Sequence, residues 1–108
     1  MNTHFQSLPV GRALAKLGKD IRDARLRRRI PAAILADRAA ISRMTLYLIE
    51  KGHAAVGMGH YASVLMALGL VERLADVADV RHDAVGLALE EERLPKRIRL
   101  PRDGGRLK

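Results

Sequence analysis

The stretch PAAILADRAAISRMTLYLIEKG, residues 31–52, decides the fold. Pro31 suits a first helical position and not an interior one, because its ring fixes φ and removes an N–H. The pattern predicts a short helix from Ala32 to Ala39, a turn at Ala40 and Ile41, and another helix to about Glu50. Ser42 is placed as N-cap of that helix, where a hydroxyl accepts from a backbone N–H of the first turn. Gly52 is placed to end it in a left-handed conformation. Leu35, Ala36, Ile41, Leu46 and Ile49 have the spacing to pack the two helices together. The small Ala36 falls where the helices cross most closely. Arg43, Met44, Tyr47 and Leu48 are left on the outward side of the later helix. Two short helices joined by a tight turn are the minimum for placing one helix in a major groove.

Upstream, Leu14, Leu17, Ile21 and Ala24 recur at spacings of three and four, which puts them on one helical face. The expected helix runs from Val10 to near Arg28, and its last turn carries cations, as the helix dipole favours. Residues 1–9 are expected as an arm. Downstream, residues 53–59 are expected as a loop, followed by a helix with Tyr61, Val64, Leu65 and Leu68 on one face and ended by Gly69. A shorter helix is expected over Val71 to Val77, and a further one over residues 84–94 with Asp83 as cap. The stretch from Leu94 to Lys108 holds two prolines and two glycines, and there are seven cations from Arg93 onward. It is expected to be largely disordered in the free protein. Within it Arg97-Ile98-Arg99-Leu100 alternates, and can become a strand against a partner. The organisation expected is an arm (1–9), a five-helix domain (10–80) and a partly disordered basic extension (81–108).

The 108 residues provide one domain's worth of chain. Only Phe5, Tyr47 and Tyr61 are aromatic, so aliphatic side chains must build the core. Alanine and leucine dominate it, and both are strong helix formers, which points to an all-α fold. The formal net charge is +8. Such an excess in a short chain points to a polyanionic partner, nucleic acid first and an anionic membrane surface second. The absence of cysteine excludes a disulfide, a thiol nucleophile and a zinc–thiolate site. No apolar run approaches the ~20 residues of a membrane helix, and no signal peptide is recognisable, so a cytoplasmic protein is expected.

Other candidate chemistry is weak. His4, His53, His60 and His82 are scattered without metal-ligand spacing. Glu90, Glu91 and Glu92 suit a solvated helix face, and GMG at residues 57–59 is too short for a phosphate loop. No enzyme, no metal and no cofactor is expected.

The arrangement resembles the lambda-repressor-like, Xre/Cro family of bacterial helix-turn-helix proteins. The resemblance covers roughly Leu17 to Leu70 and rests on LGKDIRDAR, ILADRAAISRMTLYLIEKG and YASVLMALGL. It implies a five-helix, lambda-repressor-like DNA-binding domain. Carried over by position, Arg43, Met44, Tyr47 and Leu48 become the base-contacting set, and Ser42, Thr45, Arg38 and Lys51 the phosphate-contacting set. Arg43 can make two hydrogen bonds to guanine, and apolar groups can meet a thymine methyl. Glu50 becomes a structural residue, ion-paired with Arg25 of the first helix. Two positions depart from the family. Pro31 and Ala32 stand where a serine or threonine and a glutamine usually open the second helix, so a cap and a phosphate contact are lost. Ala40 stands at the turn glycine, at a cost on the order of 1 kcal/mol if that position is left-handed.

One recognition helix reads few base pairs, and proteins of this kind gain specificity by dimerising on a palindrome. Val71, Leu74, Val77, Val80, Val85, Leu87 and Leu89 provide apolar material for a two-fold interface, unless they complete the monomer's own core. The segment GLALEEERLPKRIR, residues 86–99, looks like that of HipB-type antitoxins. That likeness implies a repressor of its own operon that binds a HipA-like kinase toxin. Two other readings stay open: a stand-alone Xre-type regulator, and a protein-interaction adaptor or coactivator that binds DNA only weakly. A basic RNA-binding module lacks the exposed aromatics usual for single-strand recognition.

Overall fold

The computed structural model describes the backbone of residues 7–97 and the side chains of residues 7–93. These residues form an all-α chain without a strand: α1 (Leu8–Arg27), α2 (Ala32–Arg38), α3 (Arg43–Glu50), α4 (Met58–Ala67), α5 (Val71–Ala75) and α6 (Ala84–Arg97), with a 3-10 turn at Val80–His82. Among the described residues no helix is long and apolar enough to cross a membrane. The chain divides into two compact units, one ending at Leu74 and the other beginning at Ala75.

In the first unit α1 starts two residues before Val10. The Ser7 hydroxyl accepts from the Val10 N–H at 3.4 Å, and Pro9 occupies the first turn, where its missing N–H leaves nothing unsatisfied. Leu8 and Pro9 are therefore helix rather than arm. At the start of α2, Pro31 is the N-cap and not the first helical residue. It has extended backbone (φ −62°, ψ 148°) and offers no side-chain cap, while its carbonyl accepts from Ile34 and Leu35.

The ends of α1, α2, α3 and α4 share one hydrogen-bond pattern. After α1, Ile30 N–H donates to the Arg25 carbonyl and Arg29 N–H to that of Leu26. After α2, Ile41 donates to Ala36 and Ala40 to Asp37; after α3, His53 to Leu48 and Gly52 to Ile49. After α4, Leu70 donates to Leu65 and Gly69 to Met66. This double closure satisfies carbonyls that a helix end leaves open, and it requires a left-handed residue at the first position past the cap. Gly52 (φ 72°) and Gly69 (φ 79°) supply it without strain, whereas Arg29 (φ 55°) and Ala40 (φ 59°) do so with a Cβ in place. The turn between α2 and α3 is thus closed by Ala40 in the left-handed region.

The core is aliphatic apart from one tyrosine. Ile21 and Ala24 of α1, Leu35, Ala36 and Ala39 around α2, Leu46 and Ile49 of α3, and Tyr61, Val64, Leu65 and Leu68 around α4 are buried together. Leu14, Leu17, Ile41, Leu70, Val71 and Leu74 pack against this cluster while staying partly exposed. Each fully buried Ile, Leu or Val contributes about 1.5–3 kcal/mol, so Ile21, Leu35, Leu46, Ile49 and Val64 dominate the packing.

One close approach fixes α1 against the end of α3. Gly18 is buried in α1, and a Cβ there would lie 2.5 Å from the Ile49 carbonyl oxygen and 2.7 Å from both the Glu50 oxygen and the Gly52 nitrogen. From the other side, a Cβ on Gly52 would run into the backbone of Leu14 and Ala15. Gly52 therefore answers two demands, the left-handed turn and the contact. The loop before α4 is pinned by Tyr61, whose hydroxyl donates to the His53 carbonyl at 2.9 Å.

The second unit begins at Ala75, where α5 ends, two residues short of the expected Val77. Asp79 caps the 3-10 turn, its Oδ1 accepting from the Arg81 N–H at 2.8 Å. Asp83 then holds the start of α6, its Oδ1 accepting from the Gly86 N–H at 2.9 Å. None of residues 75–93 is buried, and Val77, Val80, Val85, Leu87 and Leu89 are exposed. The backbone stays helical through Pro95 to Arg97, three residues beyond the expected end. Ile98, Arg99 and Leu100 of the expected strand, the rest of the basic tail, residues 1–6 and His4 lie outside the described residues.

Candidate nucleic-acid interface

Helix α3 is short, and three devices hold it. Its N-terminus is capped by Ser42, whose Oγ accepts from the Thr45 N–H at 3.0 Å and donates to Thr45 Oγ1 at 3.0 Å. Its inner face is buried through Leu46 and Ile49. Its C-terminus is tied to α1 by Glu50. Arg25 Nε donates to Glu50 Oε2 at 2.7 Å and Nη2 to Oε1 at 3.1 Å, while Nη1 donates to the Ile30 carbonyl at 3.1 Å. The two side chains are 11% and 9% exposed. A planar guanidinium alone has the donors to hold a carboxylate and a carbonyl in this way. The hydrogen bond to Glu50 raises the Arg25 guanidinium above its ordinary pKa, against the opposing effect of burial.

With the inner face fixed, the outer face of α3 is fixed too, because side chains on a helix keep their angular relations. Arg43 is exposed, Met44 is 64% and Tyr47 55% exposed, and Leu48 is half-buried. Two large apolar side chains stand in solvent here beside a cation. Lys51, past the helix end, places its Nζ 5.5 Å from the centre of the Tyr47 ring, a cation–π distance. Arg38, at the end of α2, is exposed, as is Ser42, and Thr45 is half-buried. The Ser42 hydroxyl proton is already engaged by Thr45, so Thr45 is the residue of the two with a hydroxyl hydrogen left to donate outward.

The structure brings only part of this set together. Arg43, Tyr47 and Lys51 line one notch of about 350 Å³ between α1 and α3, with Arg22, Arg25, Ala32, Leu46 and Glu50. Met44, Leu48, Arg38, Ser42 and Thr45 are not part of its lining. Arg22 also lines this notch and was not among the candidate residues expected from the sequence. Its three-residue spacing from Arg25 was the available signal, since i and i+3 share a helix face.

Among the described residues no three His, Asp or Glu side chains are grouped to hold a metal. His53 Nδ1 accepts from the Ala55 N–H at 3.2 Å, and His82 lies 3.7 Å from an Asp76 carboxylate oxygen. Comparison with family models, with curated proteins and with solved structures finds no match for this chain.

Proposed function

We propose that this chain is a sequence-specific DNA-binding repressor whose α2–turn–α3 segment acts as a lambda-repressor-like helix-turn-helix, with α3 entering the major groove. The observation that carries the reading is the exposed face of α3, Arg43, Met44 and Tyr47, on a helix locked from behind by the Arg25–Glu50 pair. A net charge of +8 supplies the phosphate attraction such a protein needs. Arg43 contacts a guanine edge, Met44, Tyr47 and Leu48 meet thymine methyls, and Thr45, Arg38 and Lys51 position the backbone, with Ser42 kept as the cap of α3. The exposed Val77, Val80, Val85, Leu87 and Leu89 of the second unit make a homodimer part of the proposal. Autoregulation as the antitoxin of a HipA-like kinase toxin rests on residues 86–99 alone.

The test is fluorescence anisotropy on duplex from upstream of the chain's own gene, with an unrelated duplex as control. A preference of about a thousandfold or more at physiological salt is expected. Arg43→Ala should reduce that preference by about 10- to 100-fold, the worth of one bidentate base contact, with an unchanged thermal midpoint. A second reading is favoured by the exposure of Met44 and Tyr47: the same face suits a protein partner, as in an adaptor. Absence of binding to any duplex near physiological salt would replace the repressor by the adaptor.

A further inference from the structure

The notch between α1 and α3 holds more positive charge than the α3 face alone provides. Arg22, Arg25, Arg43 and Lys51 line it against one carboxylate, Glu50. Both Glu50 oxygens are taken by Arg25, so the remaining three cations face the notch without a carboxylate in it to answer them. Among the described residues no salt bridge includes Arg22, Arg43 or Lys51. Arg22 precedes Arg25 by three residues and so shares its face of α1, and the exposed Arg22 and Lys51 both line the notch that holds the Arg25–Glu50 pair. Contact with the Tyr47 ring restrains Lys51.

A guanidinium from one helix and an ammonium from another, around an open notch, match a tetrahedral oxyanion: the arginine gives two parallel donors and the lysine a point charge. The notch shares Arg43 and Tyr47 with the exposed face of α3, so an anion held there lies beside whatever that face contacts. We propose that Arg22 and Lys51 clamp one backbone phosphate of the DNA duplex in this notch, with Arg43 adding charge at its rim. The proposal rests on the DNA-binding reading and makes α1, not only α2 and α3, a DNA-contacting element.

The experiment is anisotropy with Arg22→Ala and the unaltered full chain, on the upstream and the unrelated duplex, across a salt series. Losing one phosphate contact should flatten the slope of log K against log salt by about 0.9 and weaken both duplexes by the same factor, about eightfold at 0.1 M. Because Arg22 is exposed, the thermal midpoint should not move. If the unaltered chain binds duplex and Arg22→Ala keeps its slope, the clamp is overturned and the DNA-binding reading stands. Inorganic phosphate, exchanged for chloride at constant ionic strength, gives a second readout through the amide resonances of Lys51 and Gly52. Shifts that vanish in Arg22→Ala support the anion site. The same shifts in a chain that binds no duplex would overturn a DNA phosphate as the occupant.

Discussion

Replacing Gly18 with alanine should destabilise the protein, although the same change elsewhere in a helix stabilises it. Glycine inside a helix is about 1 kcal/mol worse than alanine, through the backbone freedom it loses on folding. At Gly18 that gain is opposed by contact. The added methyl would lie 2.5–2.7 Å from three backbone atoms of residues 49, 50 and 52. Ordinary contact for such a carbon begins near 3.4 Å, so α1 must retreat by most of an ångström from the end of α3. Backbone atoms cannot swing away as a side-chain tip can, and the retreat also stretches the Arg25–Glu50 bonds about two turns further along α1. Overpacking of this kind costs about 1–3 kcal/mol, with larger values where the backbone is rigid. Subtracting the propensity gain leaves a net loss of up to about 2 kcal/mol. For a unit of this size each kcal/mol shifts the thermal midpoint by about 4–8 °C. Gly59, in the first turn of α4, is the internal control, since a Cβ there meets nothing within 4 Å. Thermal melts followed by circular dichroism at fixed protein concentration should show Gly18→Ala lowered and Gly59→Ala raised. A Gly18→Ala midpoint at or above that of the unaltered chain would refute the close approach.

Three further outcomes follow from the same structure. Ala40→Gly should stabilise by roughly 0.5–1 kcal/mol, because relief of a left-handed Cβ (about 1–2 kcal/mol) outweighs the added freedom of the unfolded chain; urea denaturation checks it, and a loss would mean that the turn is not left-handed. Removing one partner of the buried pair, as in Glu50→Ala, should cost about 3–5 kcal/mol, whereas Arg25→Leu combined with Glu50→Leu should cost much less than the two single changes summed. Simple additivity in that cycle would show that the pair is not coupled. Burial raises the Tyr61 phenol above its ordinary 10.0, so the stability it brings is complete below pH 10 and is lost as pH rises through the folded-state value. Tyr61→Phe should therefore lower stability by about 1 kcal/mol at neutral pH, through the lost bond to the His53 carbonyl, and flatten the alkaline decline; an unchanged alkaline limb in urea titrations would assign that decline to other groups.

Periodicity alone placed the apolar faces. Ile21 and Ala24, Leu35 and Ala36, Leu46 and Ile49, and Tyr61, Val64, Leu65 and Leu68 are spaced so that each helix has one side to bury, and those sides form the core. Local chemistry also marked the stops at Gly52 and Gly69, because glycine takes a left-handed conformation without cost. The all-α class follows from these local rules. What periodicity does not carry is the distance between elements. Gly18 looks like an ordinary weak point in a helix until α3 is packed on it. Arg22 looks like one more surface cation until the fold places it in the notch that Lys51 and Arg43 also line. The second unit shows the same limit from the other side. Its apolar residues were legible in the sequence, yet the 3-10 turn at Val80–His82 depends on the Asp79 carboxylate closing on the Arg81 N–H. Local sequence thus determined which residues want to be buried and where each helix can stop. The tertiary structure decided which backbones must touch, and with that which charges are spent inside the protein and which are left facing out, because contact energies depend on separations that no local pattern encodes.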